Sequence, residues 1–376
     1  MKITVIGGGP AGLYFAILMK RADPVHDITV YERNAPGATF GWGVVFSDKT
    51  LSYLKDNDLE THDEITRSFE TWDNVDIVHR GEKMTIRGNK FSGIARIRLL
   101  NILQARCAEL GVRMLFETEA GDLDALAADC DLLVGADGVN SGVRAAYSAA
   151  FEPSLDVRAN KYIWFGTERL FHGLTLTFHD NADGVYAAHS YKFSKQLSTF
   201  IVECDPETWQ NASFADRSDD DTRAYLEDVF REDLGGHPLL SNNSKWINFL
   251  LVKNRRWHTR NIVLLGDALH TAHFSIGSGT KLALEDSIAL ADAFKRESDV
   301  ETALRLFERN RRPVIDEYQD AALESMVWFE NARAYVHLEP MPFAYGLMTR
   351  SKKIDYDNLK RRDPEFISAY DRAVAR

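Results

Sequence analysis

At 376 residues, 45% of them hydrophobic and 27% charged, the chain has a globular composition and enough length to bury the core of two interlocked domains. Its formal net charge of −11 argues against a nucleic-acid partner, because phosphate recognition needs a basic footprint, but it leaves local basic pockets open. Cys107, Cys130 and Cys204 lie far apart with no CxxC spacing, which reads as reduced structural thiols and not as a disulfide frame or zinc site.

The chain opens β-α-β: "ITVIG" reads as a short buried strand, "PAGLYFAILMKRA" as a helix and "DITVYER" as a second strand. "KITVIG" enters its strand at once, with no room for a signal peptide, and no apolar run is long enough to span a bilayer. The expectation is a soluble cytoplasmic protein that makes no membrane contact. A polar, helix-prone stretch runs from Asp48 to about Glu70, and "VDIVHRGEKMTIRG" alternates like a hairpin. A helix at "RIRLLNILQARCAELG" precedes the strands "VRMLFET" and "CDLLVGAD", which build a doubly wound nucleotide domain with insertions. From about Asn160, "KYIWFGTE", "LTLTFHD", "GVYAAHSYKF" and "LSTFIVECD" are β-branched, aromatic and spaced by turns, the pattern of an antiparallel sheet. A charged helix near "DDDTRAYLEDVFREDLG" and the strand "WINFLLVKN" follow, and "NIVLLGD" returns the chain to the first domain. Beyond Ser278 the pattern is helical, with Pro313 expected to start or kink one of two or more long helices.

The first turn carries the chemistry. Gly7-Gly8-Gly9-Pro10-Ala11-Gly12 satisfies GxGxxG between a strand and a helix. Gly7 permits the tight turn, Gly9 lets a pyrophosphate approach the backbone, and Gly12 lets helix and strand pack closely. Glu32, with Arg33 beside it, ends the second strand twenty residues past Gly12 and can accept both hydroxyls of an adenosine ribose. At this point the dinucleotide can be NAD or FAD.

A distal stretch, "GDALHTAHFSIGSGTKLALEDS", resembles the second flavin signature of the para-hydroxybenzoate-hydroxylase-like (class A) flavoprotein monooxygenases, and "LLVGADGVNSGVR" resembles their third signature. The resemblance implies a bound FAD. Asp267 can hold a ribityl hydroxyl, a group NAD lacks. Gly277, Ser278 and Gly279 open a helix whose positive end faces the flavin ring, where reduced flavin carries negative charge. Arg96 and Asp137 match the family's arginine and aspartate near the pyrophosphate, and Trp42 and Val44 match a segment that passes the flavin. Where the family often has proline on the reactive face, this chain has Phe274. His270 and His273 stand at HxxH spacing, but no acidic or cysteine cluster supports a metal site.

The expected fold is therefore α/β: a Rossmann-like FAD-binding domain with an inserted antiparallel β-sheet substrate domain and a helical C-terminal tail. The expected boundaries give FAD binding to 1–74, 93–158 and 257–298. A hairpin at 75–92 joins the substrate domain, 159–256 forms its β-rich body, and 299–376 is helical. No second dinucleotide fingerprint appears, so NADH or NADPH would bind transiently and reduce the flavin. Dioxygen would then form a flavin C4a-hydroperoxide that transfers OH to an electron-rich ring, para to a hydroxyl or amino group. "FGWGVVFSDKTL", "NKYIW", "STFIVEC" and "HFSIGSGT" resemble the subgroup of salicylyl-CoA 5-hydroxylase, the monooxygenase half of anthraniloyl-CoA monooxygenase and the violacein-type tryptophan-ring hydroxylase. Salicylyl-CoA is the first choice of substrate. Anthraniloyl-CoA, a violacein-type substrate, or a flavin reductase without oxygen insertion are the alternatives. His189 and Tyr191, on "AAHSYKF", and Phe274 are the candidate catalytic residues; the two strand residues are expected to face the substrate ring, and a side chain that served as base for the substrate phenol would need a pKa near the working pH. The state expected is a monomer or homodimer.

Overall fold

The computed structural model describes residues 1–39 and 41–375; Phe40, which opens "FGWGVVFSDKTL", lies outside them. Fifteen strands run through the described residues. β1 (Lys2–Ile6) and β2 (Asp27–Tyr31) flank the helix Pro10–Ala22, and β3 (Gly43–Ser47) precedes two short helices. β4 (Glu70–His79) and β5 (Glu82–Ala95) form a hairpin, followed by the helix Arg96–Glu109, β6 (Arg113–Leu115) and β7 (Leu132–Gly135). The inserted sheet comes from β8 (Pro153–Thr167), β9 (Leu174–Asp180), β10 (Val185–Lys192), β11 (Ser198–Cys204), β12 (Leu239–Leu240) and β13 (Ile247–Asn254). β14 (His258–Thr259) and β15 (Ile262–Leu264) lead back, and the helices Gly279–Arg296 and Val300–Glu330 and three shorter ones complete the chain.

Two sheets result. The first has the order β14-β15-β7-β1-β2-β6 and is parallel except at β14. Its strands are near-continuous apolar runs because helices cover the sheet. The helix Pro10–Ala22 is buried from Ala11 to Met19, between that sheet and the helix Gly279–Arg296, with Ser287 Oγ donating to the Ala11 carbonyl at 2.8 Å.

The second sheet runs β12-β8-β11-β10-β9-β4-β5-β3, with β13 also on β8. The β4–β5 turn sits on Arg80 and Gly81, both at positive φ (52° and 75°), the conformation a tight hairpin requires. This sheet is antiparallel except where β4 meets β9 in parallel, a pairing that joins a hairpin from early in the chain to strands from its middle. One face packs on the C-terminal helices through Ile77, Phe178, Phe329 and Phe343. The other packs on the helices Pro206–Asn211 and Asp219–Val229 through Phe200, Phe214, Leu226 and Phe230.

Pro313 neither starts nor ends a helix: Val300–Glu330 runs through it for 31 residues. Proline removes one backbone hydrogen bond from a helix interior, but buried anchors hold both sides. Phe307 and Arg311 lie before Pro313, and Ile315 and Gln319 after it. Gln319 Nε2 donates to the carbonyls of Val252 and Thr271, each at 2.9 Å.

Gly7 has φ +108°, and a Cβ there would lie 2.3 Å from the Ala136 carbonyl oxygen. The substitution Gly7→Ala is therefore expected to cost roughly 2–4 kcal/mol, measured as a fall in the denaturant midpoint.

Candidate active site

β1, β7 and β15 are neighbours, and their last residues stand in register: Ile6 beside Gly135, and Gly135 beside Leu264. The three sequence motifs begin at that line, so Gly7, Asp137 and Asp267 emerge together at the C-terminal edge of the parallel sheet, where open α/β folds bind ligands. Gly12 is packed against the Gly7 carbonyl, which a Cβ would reach at 2.3 Å, whereas nothing lies within 4 Å of a Cβ at Gly9, Gly138 or Gly279. The first glycine serves close packing; the other three border open space. Pro10 occupies the first helical turn and Ala11 is buried behind it. Ala11 Cβ is 3.0 Å from where a Cβ at Gly266 would stand. Glu32 accepts from the N–H groups of Gly8 (2.8 Å) and Asn34 (2.7 Å), with Arg33 exposed beside it.

A buried arginine ties two of the loops together. Arg144 donates to the carbonyl of Ala268 at 2.9 Å and to that of Val139. It therefore spans the Asp137 loop and the Asp267 loop. Asp137 caps the short helix Gly142–Ala146, accepting from Ser141 Oγ and from Val143 N–H at 3.1 Å. Asn254 Nδ2 holds the Leu269 and Ala268 carbonyls from the other side.

Among the described residues Asp267 has no side-chain hydrogen-bond partner. Its surface is open, yet it opens into an internal cavity ringed by protein. Burial accordingly pushes its carboxyl upward, and the nearby Arg96 guanidinium pulls the other way. Arg96 starts its helix with its N–H on the Trp42 carbonyl (2.8 Å), and its Nε is buried without a partner. A guanidinium whose Nε is buried without a partner, a carboxylate open to the cavity and glycines bordering empty space fit a polyanionic dinucleotide with a polyhydroxyl chain.

The cavity is about 560 Å³. One wall is Asp267 with Gly277, Ser278, Gly279 and Thr280, at the N-terminus of the 18-residue helix Gly279–Arg296. The facing wall is the inserted sheet, where alternate residues point inward: Leu174 and Leu176, His189 and Tyr191, Tyr162 and Trp164. Val44 lines the cavity; Trp42 does not. The Trp42 ring instead packs over Gly166, where a Cβ would lie 2.7 Å from it, and sits 6.4 Å from the Phe193 ring. Phe274 lies between the cavity, Tyr162 (4.7 Å) and His189 (5.1 Å). Tyr191 spends its hydroxyl on the Gly43 carbonyl at 2.8 Å, and burial pushes its phenol upward, so it stays a protonated donor that fixes β3. His270 and His273 diverge: the first pairs with Asp286 (2.7 Å) and the second with Ser275 (2.8 Å). Among the described residues no three metal-capable side chains gather, and no helix is long and apolar enough to cross a membrane.

Three further polar residues stand here: Arg144, which closes the "LLVGADGVNSGVR" signature, and Arg350 and Glu203, to which the sequence reading gave no role. Arg350 lines the cavity and donates to Ser325 Oγ and the Ser275 carbonyl, both at 2.8 Å. Glu203, fully buried, is bonded by His189 Nε2 (3.2 Å) and Asn160 Nδ2 (2.8 Å). Its signal was available, since Thr199, Ile201 and Glu203 share one face of β11 by alternation.

The profile of the FAD binding domain family matches residues 1–322. Salicyloyl-CoA 5-hydroxylase of a Streptomyces species is 42% identical, over 99% of this chain and 73% of that protein. Protodeoxyviolaceinate monooxygenase of Chromobacterium violaceum is 37% identical, over 94% of this chain and 95% of that protein. 3-Hydroxy-4-methyl-anthranilyl-(aryl-carrier protein) 5-monooxygenase of Streptosporangium sibiricum is also 37% identical, over 88% and 89%. The fold matches that of 2-methyl-3-hydroxypyridine-5-carboxylic acid oxygenase with a TM-score of 0.72, at 21% identity, over 96% of this chain and 97% of that one.

Arg144→Ala frees both loops at once. FAD affinity is expected to fall at least tenfold, about 1.4 kcal/mol or more, in a titration that follows flavin fluorescence. Stability should also depend on pH. Burial holds His273 down, from 6.5 to about 4, so between those values the unfolded chain binds the extra proton. Stability is then full above pH 6.5 and declines as pH falls toward about 4. His273→Gln should flatten that slope in denaturant titrations across the same window.

Proposed function

The chain belongs to the FAD binding domain family and is an FAD-dependent aromatic monooxygenase, and from that premise we propose that it hydroxylates salicylyl-CoA para to the phenol, giving gentisyl-CoA. What supports this reading is the likeness to a salicyloyl-CoA 5-hydroxylase along nearly the whole chain, joined to a cavity of fitting shape. At about 560 Å³, with the flavin-side wall included, it has room for the reacting rings but not for a whole CoA. The thioester tail would leave past Arg350, Ser351 and Lys353 at the cavity's edge.

Bound FAD supplies the redox chemistry: a hydride from NAD(P)H and one further proton let dioxygen place one oxygen atom on the ring and release the other as water. The chain's own residues hold and orient. Glu32 would take the adenosine ribose, the Gly7–Gly12 turn the pyrophosphate with Arg96 and Asp137 beside it, and Asp267 a ribityl hydroxyl. The helix opening at Gly279 directs its positive end at charge developing on the ring system. Val44 and Phe274 wall the cavity, and Leu174, Leu176 and Ile201 line its sheet side, excluding water.

Anaerobic stopped-flow reduction of the holoenzyme by NADH and NADPH tests the reading. Salicylyl-CoA should accelerate reduction at least tenfold, and admission of labelled dioxygen should yield gentisyl-CoA carrying one labelled atom. Ligand-independent reduction that ends only in peroxide would refute it.

A further inference from the structure

Glu203 is a carboxylate at the centre of a fully buried cluster. It accepts from Asn160 Nδ2 at 2.8 Å and pairs with His189 Nε2 at 3.2 Å. On its other side His273 Nε2 stands 4.0 Å from Oε1. The tautomer of His273 follows from the backbone beside it, because an N–H can only donate. The Ser275 N–H points at His273 Nδ1 at 3.4 Å, so that nitrogen accepts, and Ser275 Oγ lies 2.8 Å from it on the same side. Ser275 Oγ is bonded in turn to Ser325 Oγ (2.8 Å), which accepts from Arg350 Nε (2.8 Å). His273 thus carries its proton on Nε2, toward Glu203. Two imidazole N–H groups and an amide converge on one carboxylate, and these partners hold the Glu203 carboxyl ionised despite its burial.

An ionised Glu203 can only accept, so a neutral His189 is fixed with Nε2 protonated and the lone pair on Nδ1. His189 lines the cavity. Among the described residues its Nδ1 has no hydrogen-bond partner, and it is not an occluded polar atom, unlike Nδ1 of His270. Tyr191, its neighbour two residues on, has already spent its hydroxyl on Gly43. We infer that His189 is the base that removes the ring-hydroxyl proton of the substrate and that Glu203 is the positioning residue that sets its tautomer. The substrate O–H bond breaks, an N–H bond forms at Nδ1, and the electron pair stays on the phenolate oxygen, where it enriches the para carbon. The imidazolium that results lies against Glu203. This inference rests on the aromatic-hydroxylase reading, but not on the identity of the thioester.

The test uses FAD-loaded enzyme and 4-nitrophenol, whose phenolate absorbs in the visible and which carries no thioester, buffered below the point at which it ionises in water. Wild type should convert the bound probe to phenolate in the difference spectrum. His189→Gln should abolish that conversion, and Glu203→Gln should cut it at least tenfold, with the flavin spectrum of both variants intact. In turnover with salicylyl-CoA, Glu203→Gln should lose about 100-fold in kcat with little change in KM, and a ring-fluorinated, more acidic phenol should recover much of the loss. A wild-type enzyme that leaves the probe as phenol or does not take it up overturns the inference, as does a Glu203→Gln variant that ionises it like wild type. Ionised probe with no hydroxylation of salicylyl-CoA would sink the substrate reading and leave the base in place.

Discussion

The register of three adjacent parallel strands is the constraint on which this molecule depends. Because Ile6, Gly135 and Leu264 end at one level, three loops more than a hundred residues apart open onto one edge. A slip of one residue in any pairing would turn every side chain of that strand to the other face of the sheet. Buried apolar strands and tight glycine contacts specify the register, and Arg144 locks two of the loops across it. Cofactor binding is therefore a property of the sheet's alignment before it is a property of any single ligand-contacting residue.

The inserted sheet solves a different problem. It supplies an apolar wall to the cavity and still presents a few oriented polar groups. Alternation meets both needs: Leu174, Leu176 and Ile201 exclude water while His189 and Tyr191 come inward at the same period. The polar members are admissible only because each has a partner, Tyr191 on Gly43 and His189 on Glu203.

Much of this was legible in the sequence because the requirements are local. A glycine whose Cβ would meet the next loop at 2.3 Å must be glycine whatever surrounds it, so GxGxxG and the GD loop declare themselves. The alternating apolar runs announced the sheet for a similar reason. What sequence concealed is pairwise and distant. Arg144 is visible as the arginine of its motif, but its two carbonyl partners, one of them 124 residues away, are not. Trp42, sharing a segment with Val44, faces Gly166 instead of the cavity; it lies one residue before β3 begins, outside the alternation that would set positions two apart on one face. Pro313 signals a break by its own chemistry, and only tertiary anchors on both sides of it carry the helix through.

Those anchors have a consequence for the order in which the protein is made. Gln319 secures the carbonyls of Val252 and Thr271, and Arg311 reaches Asp286, the partner of His270. The loop bearing Asp267 is thus braced by residues that leave the ribosome some fifty positions later. On a nascent chain the GxGxxG turn is present almost from the start, but the Asp267 side of the cavity lacks these braces until the long helix has emerged. The Asp267 loop is in this sense completed late, by the docking of a helix that itself lines none of the cavity.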